Sequence, residues 1–276
     1  VTVSYNEEYG SVTGNGSDVA NNGSVSVGAE GLALVATPAT NCQFVAWVNA
    51  VDNTIVSTDA SFTLRTEADV SIKALFSDGT AFWGVGGTTN HSAGHLLNAF
   101  DYYTVDVGYI FDDLNTAASC AQQKGLNTVV LMNSGTLPAG IHNIPSGVTL
   151  LIPFDAANTM YIQRAMSYSD ATKPTAYRTL TFADGAHLTV DGRISISGNV
   201  HYATANTRGS APAGKVGYIA LPFANSSSTM NSGIELHAFG YITGNGSVVA
   251  KNGSKVYECF QFMDFRGGTV TDKMAD

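Results

Sequence analysis

One pattern occurs twice in this chain and restricts its fold more than any other feature. Residues 185–198 read GAHLTVDGRISISG and residues 233–246 read GIELHAFGYITGNG, so both fit G-x-x-L-x-x-x-G-x-I-x-x-x-G. Gly185, Leu188, Gly192, Ile194 and Gly198 answer Gly233, Leu236, Gly240, Ile242 and Gly246. Leu and Ile recur inside short runs whose alternation sends every second side chain to one face of a strand. Each Gly is expected where the chain turns a corner at positive φ. A third, partial copy, GVTLLIPF, starts at Gly147 and sets Leu150 at the offset of Leu188 and Leu236. After Arg178 the chain reads TLTFADG, AHLTVDG, RISISG. Three strand–corner units in a row are what three sides of one solenoid coil look like.

Composition narrows the class of protein. Charged residues are 13% of the 276, about half the share of an ordinary globular domain. A polar but uncharged surface of this kind suits a β-rich extracellular protein. The net charge is −9 and there is no basic cluster, which argues against nucleic acid as a partner. No run reaches the roughly 18 apolar residues of a membrane span. Cys42, Cys120 and Cys259 are widely spaced and odd in number, which fits no zinc spacing and reads as buried thiols.

In chain order, residues 1–77 read as a small domain of about five strands, with VTVSY, LALVATP, FVAWV, SFTL and VSIKALF separated by Pro38 and by Asn/Asp/Gly clusters. Residues 78–104 read as a Gly-rich linker. Residues 105–276 are expected to form one domain. It opens with a helix over 111–124 (FDDLNTAASCAQQK), which has Asp112 as its N-cap, an apolar stripe of Leu114, Ala117, Ala118 and Ala121, and Gly125 as its stop. Gly-spaced strands follow over 147–268. Two irregular inserts interrupt them, YIQRAMSYSDATKPTAY at 161–177 and HYATANTRGSAPAGK at 201–215. Inserts into a solenoid gather on one face and are the usual place for binding sites.

Three resemblances sharpen this reading. ATPATNCQFVAW followed by ADVSIKALF resembles the bacterial internalin-type B-repeat through Ala36, Pro38, Phe44, Trp47, Ala74 and Phe76. That family implies a small β-grasp-like module of secreted and surface proteins, used as a spacer or binding module and without catalytic residues. The succession helix, strand, turn, Gly-spaced strands is similar to the start of right-handed parallel β-helices of the pectate-lyase-like kind, in which an amphipathic helix plugs the open end. The stretch GNGSVVAKNGSKVYECFQFMDFRGG resembles coils in multi-module surface proteins of Gram-positive bacteria. Together they imply a mostly β fold, a B-repeat module joined to a right-handed parallel β-helix with an N-terminal capping helix, in a protein that is extracellular or attached to the cell wall.

Chemistry-bearing clusters are sparse. Asp184 and Asp191 both precede Gly. Along an extended strand they lie ~23 Å apart, too far for the two carboxylates of a glycosidase. Glu258 and Asp264 have the same difficulty at ~20 Å. Asp264 with Arg266, and Glu235 with His237, match no lyase motif. His91 and His95 would share a helix face but lack a third ligand. No catalytic, metal or cofactor site is therefore expected. Tyr161, Tyr168, Tyr177 and Tyr202 fall in or beside the two inserts and are the candidate ligand residues, since tyrosine suits sugar stacking. The expected function is a rigid stalk or adhesin module that meets a glycan or a host surface protein, monomeric within a longer multi-module chain. A polysaccharide lyase or glycoside hydrolase on the same scaffold is the alternative.

Overall fold

The computed structural model describes residues 1–92, 102–152, 159–162, 175–196, 215–221, 223–231, 235–238, 241–251, 255–258, 263–264 and 269–272. It is mostly β, with one helix among these residues. No helix among them is long and apolar enough to cross a membrane.

Residues 1–77 hold nine strands rather than five: β1 (Thr2–Ser4), β2 (Gly10–Gly14), β3 (Ser17–Asp18), β4 (Gly23–Ser24), β5 (Leu32–Pro38), β6 (Gln43–Asn49), β7 (Ile55–Ser57), β8 (Ser61–Leu64) and β9 (Ser71–Ser77). The extra strands are short pieces that no hydrophobic alternation marks. Asn15 and Gly16, with φ of 50° and 80°, make the two-residue hairpin between β2 and β3. Asn and Gly both tolerate the left-handed region that such a turn needs. The strands form two sheets, ordered β4-β1-β9-β6-β7 and β3-β2-β5-β8, so the second layer of this module is a sheet and not a helix. Their core holds Leu32, Leu34 and Ala36 on the expected face of β5. Trp47 is fully buried, with its ring 5.5 Å from Phe62 and 5.9 Å from Phe44. It is a core residue, closed to any ligand.

The stretch read as a linker carries β10 (Trp83–Ser92), which pairs antiparallel with β11 (Tyr102–Phe111). His91 therefore stands in a strand and not on a helix, and His95 lies outside the described residues. The helix, α1, spans Leu114–Gln123. Its N-cap is Asp113, one residue later than expected. The Asp113 carboxylate accepts from the Thr116 amide at 2.7 Å and from its hydroxyl at 2.6 Å, the N-cap-to-N3 spacing of a side-chain cap. Gly125 (φ 66°) ends the helix as expected. Leu114, Ala117, Ala118 and Ala121 are all buried.

Beyond α1 lie β12 (Thr128–Leu131), β13 (Gly135–Leu137), β14 (Gly140–Ile144), β15 (Thr149–Ile152), β16 (Thr159–Ile162), β17 (Thr175–Phe182), β18 (Ala186–Val190), β19 (Arg193–Ile196), β20 (Lys215–Leu221), β21 (Ser227–Met230), β22 (Glu235–Ala238), β23 (Tyr241–Gly244), β24 (Ser247–Ala250), β25 (Lys255–Glu258), β26 (Met263–Asp264) and β27 (Thr269–Asp272). They build three ladders. One sheet is ordered β16-β11-β10-β12-β15-β19-β22-β25, a second β13-β17-β20-β23-β26, and a third β14-β18-β21-β24-β27. The pairs formed between strands from β12 onward are parallel; two of these strands also pair antiparallel with the hairpin before α1, β12 with β10 and β16 with β11. Leaving β16 aside, the chain visits the three sheets in the same order each time it returns. The units TLTFADG, AHLTVDG and RISISG thus fall in three different sheets.

The repeated pattern does not stack on itself. Leu188 lies in β18 opposite Ser228, whereas Leu236 lies in β22 opposite Ile194 of the first copy. Leu150 also pairs with Ile194. A fourteen-residue pattern covers two strands and the corner between them, so successive copies land on different sheets. Its glycines also act in two ways. Gly185 has φ +74°, as expected. Gly192 has no positive φ; it is required by close approach, because a Cβ there would stand 2.0 Å from the Val148 carbonyl oxygen. Gly246 is the same case, 2.6 Å from the Ser226 oxygen. Gly198, Gly233 and Gly240 lie outside the described residues.

The first strand of each ladder has its outer edge closed. β12 is covered by β10, with Trp83 opposite Leu131 and Val85 opposite Val129. For β13 the cover is the chain at 79–81: the Thr136 amide donates to the Gly79 carbonyl at 2.7 Å, and the Ala81 amide to the Thr136 carbonyl at 3.2 Å. At β14 the cover is a single side chain of α1. The Asn115 amide group donates to the Ile141 carbonyl at 3.0 Å and accepts from the Asn143 amide at 2.9 Å, replacing one missing strand residue.

The first module meets this scaffold through a shared core. Val45, Ala46, Val48 and Leu75 cluster with Phe82, Val105, Val107, Ile110, Val130, Met132 and Leu151. A register shift between Phe44 and Ala46 lets β6 feed both cores. Buried Asn133 fixes the crossing: it accepts from the Phe82 amide at 2.7 Å and donates to the Ser77 hydroxyl at 3.1 Å and the Thr80 carbonyl at 2.9 Å. Beside it the Asp78 carboxylate accepts from the Thr80 hydroxyl at 2.9 Å. Bonds from Thr80 and from the Tyr9 hydroxyl hold Asp78 below the usual carboxylate range, and the same bond to Asp78 pushes the Tyr9 hydroxyl up.

Two predictions follow from this junction and from the corners. Asp78 is easier to ionise folded than unfolded, so its contribution is complete above the unfolded value of about 4 and is lost as pH falls through the lower folded value. Melting temperature should therefore drop below about pH 4, and Asp78→Asn, which keeps an acceptor but cannot titrate, should flatten that drop. Gly192→Ala should destabilise by about 1–3 kcal/mol through backbone displacement, read by urea denaturation.

Candidate functional site

The inserts leave the scaffold at one corner. Between the β12 sheet and the β13 sheet, the connection is residues 132–134 in the first turn, 239–240 in the fourth and 259–262 in the fifth. The second turn places 153–174 there, including β16, and the third places 197–214. Register partners show how much is added. Leu236 and Val256 are 20 positions apart, whereas Ile194 and Leu236 are 42 apart and Leu150 and Ile194 are 44 apart. Each insert roughly doubles its turn, and the two emerge on neighbouring turns.

The candidate tyrosines divide around this corner. Tyr161 stands in β16, opposite Thr104 of β11, in a different sheet from the others described. Tyr177 stands in β17 at a register shift between Ala176 and Arg178. Tyr168 and Tyr202 lie outside the described residues. Two tyrosines that the sequence reading did not name share the sheet of Tyr177: Tyr218 in β20 is opposite Thr179 of β17 and opposite Tyr241 of β23. Neither lies in an insert, so only strand register could have connected them.

The five strands of this sheet, β13, β17, β20, β23 and β26, carry three charged residues, Arg178, Lys215 and Asp264. Arg178 is buried and donates to the Leu131 carbonyl at 2.5 Å.

The acidic positions weighed from sequence are spread over the scaffold. Asp184 is exposed at the corner before β18, and Asp191 sits at the corner after it. The Asp191 carboxylate accepts from Asn231 of the next turn, a bond that ties two corners together. Glu235 is flanked in register by Arg193 and Lys255 on the neighbouring parallel strands. Asp264 lies opposite Thr243, Glu258 opposite Ala238, and Arg266 lies outside the described residues. Among the described residues no group of three or more His, Cys, Asp or Glu could hold a metal ion. Buried His142 bonds the Pro138 carbonyl through Nε2 at 2.8 Å. Exposed His187 bonds the Ser227 hydroxyl on the neighbouring strand at 2.8 Å. Cys42 and Cys120 are free and half-buried, less enclosed than the buried thiols expected. Burial pushes the Cys120 thiol up, and Lys124 partly offsets this. Cys259 lies outside the described residues.

The strands beside this corner carry aromatic and hydroxyl residues, types suited to recognition by stacking and hydrogen bonding, while the two long connections carry Asp155, Arg164, Asp170, Lys173 and Arg208. Among the described residues, no two carboxylates are brought together there as acid–base hydrolysis requires.

Comparison with known proteins bears on the first module. Residues 1–80 match the family model of the divergent InlB B-repeat domain, in agreement with the resemblance read from Ala36, Pro38, Phe44, Trp47, Ala74 and Phe76. The match suggests a bacterial surface-protein module. Neither the curated proteins nor the solved structures contain a match to the chain.

Proposed function

We propose that this chain is a rigid stalk and adhesin module of a secreted or wall-attached protein of a Gram-positive bacterium. The B-repeat module (1–77) is followed by residues 78–104, whose strand β10 already joins the first sheet of the scaffold, and by a right-handed parallel β-helix (105–276), capped by α1. One observation carries the reading: the module matching the B-repeat family shares a hydrophobic cluster with Phe82 and with residues of β11, β12 and β15, so it is seated on the scaffold. Three parallel ladders visited in constant order support the β-helix. Its right-handed sense follows from the near-universal hand of parallel crossovers. Such a body is stiff along its axis, because each turn is bonded to the next in three sheets.

In this reading the chain is monomeric within a longer multi-module protein. The ligand is a glycan or a host surface protein, met at the corner of the two inserts, where Tyr161, Tyr168, Tyr177 and Tyr202 are the sequence-named candidates. Catalysis by a lyase or hydrolase has no described pair of carboxylates to favour it.

The test is a glycan array run beside an assay for reducing ends and unsaturated products on acidic polysaccharides, with and without calcium. Binding without product release is the expected result. Product release above blank would overturn the stalk reading, and silence on glycans and on host-cell surfaces alike would overturn the adhesin part of it.

A further inference from the structure

We infer that β1 and β9 form a mechanical clamp: tension between residue 1 and the scaffold is borne by the ladder between these two strands, loaded in shear. This rests on the stalk reading above and deepens it, because a stalk carries force and the clamp is the element that resists it.

Topology sets the direction of loading. β1 and β9 are the first and last strands of the first module, and they pair in parallel, Thr2 with Ser71, Val3 with Ile72 and Ser4 with Lys73. Their N-terminal ends therefore lie together. Tension at residue 1 pulls on the N-terminal end of β1, whereas the scaffold holds β9 by its C-terminal end. The two strands are drawn past each other along their axes. The bonds between them, evenly spaced in a parallel ladder, take the load together. In an antiparallel pair both points of attachment would lie at one end, and the bonds would open singly.

β9 is fixed against following β1. At its C-terminal end the buried Ser77 hydroxyl accepts from the Asn133 side-chain amide and from the Gly79 amide, each at 3.1 Å, and donates to the Thr80 carbonyl at 2.6 Å. β9 is also the central strand of its sheet, and its two faces feed different cores. Ile72, Ala74 and Phe76 pack inside the first module, while Leu75 packs in the cluster shared with the scaffold.

β1 cannot slide in small steps. The Thr2 amide donates to the Val70 carbonyl at 2.9 Å, and the Ser4 hydroxyl donates to the Ile72 carbonyl at 3.3 Å. Val3 is fully buried between them. Backbone groups alternate in direction along a strand, so the next bonded register lies two residues away, ~6.6 Å along the axis. There Ser4 alone would still face β9. Just beyond the strand, the Tyr5 amide donates to the Asn21 side-chain oxygen at 2.9 Å and the Tyr5 hydroxyl to the Val19 carbonyl at 2.7 Å. The ladder thus yields in one event. Resistance to force follows the barrier to unfolding and not the equilibrium stability, so a short clamp of this kind can govern strength without governing melting temperature.

The test stretches the whole chain in an optical trap. One handle is joined to an azidophenylalanine at exposed Asp184, on the scaffold. The other is joined either to a short linker before Val1 or to an azidophenylalanine at exposed Glu7, in the turn after β1, which loads the same ladder from its other end. Three pairs loaded together against one at a time should make the rupture force from residue 1 about two- to threefold that from Glu7. The first event from residue 1 should release roughly 250–280 Å of chain, the extended length of the first module. Thr2→Pro removes the donor to Val70 and should bring the residue-1 force down towards the Glu7 value. Should that variant not fold, the comparison of the two attachments in the wild-type chain decides alone. Equal forces from the two attachments, or a folded Thr2→Pro variant as strong as wild type, would overturn the clamp and leave the stalk reading standing. A first event that unravels the scaffold from either attachment would overturn the stiff frame, and the stalk reading with it.

Discussion

A stack of parallel strands has an exposed row of amides and carbonyls at each end, and everything at the start of this scaffold depends on how that row is covered. Left open, it would template pairing with other chains. Here three edges are covered by three unlike devices. A long antiparallel strand covers β12, a bridge of chain at 79–81 covers β13, and the Asn115 side chain of α1 covers β14. Helix, hairpin and connection are thereby tied to the first turn. None of them could move without exposing buried polar groups, each worth roughly 1–3 kcal/mol when orphaned.

The same closure explains how the first module comes to be seated. Its sheet supplies Val45, Ala46, Val48 and Leu75 to a cluster on the other side of β10 and β11, while Asn133 ties Ser77, Thr80 and Phe82 across the crossing. Residues 78–82 therefore serve two layers at once, as the end of one module and as the edge cover of the next. Load applied along the chain would pass through this buried polar crossing and not through a free tether. Such coupling is what the proposed stalk role would need. It also leaves the insert corner, on the second and third turns, held by a stiff frame.

Much of this was legible in the sequence, and the failures have physical causes. The α1 stripe, its Gly125 stop, the alternating face of β5 and the three strand–corner units were readable, because burial imposes a period on residue type. The B-repeat pattern was readable because Trp47, Phe44 and Phe76 must meet in one small core. The two-residue strands of the first module were not, since two residues carry no period. Asp113 was mistaken for its neighbour Asp112, because two adjacent acids both satisfy the N-cap preference and only the amide geometry of Thr116 separates them. Gly192 was given the wrong reason, since close approach to Val148 is a tertiary fact. At the candidate site, Tyr177 could be named from its place beside an insert. Tyr218 and Tyr241 could not, because they lie in no insert and only the register between strands of successive turns pairs them.

The most direct measurement is amide hydrogen exchange on the intact chain, read at Thr136 and Asn143. These amides lie on the outer edges of β13 and β14 and would face water in an uncapped stack. With the edges closed by Gly79 and by Asn115, both should exchange as slowly as the paired interior strands β17 and β18. Exchange at Thr136 and Asn143 as fast as in the exposed turn around Val51 would contradict the closure of the first turn, and with it the seating of everything built upon it.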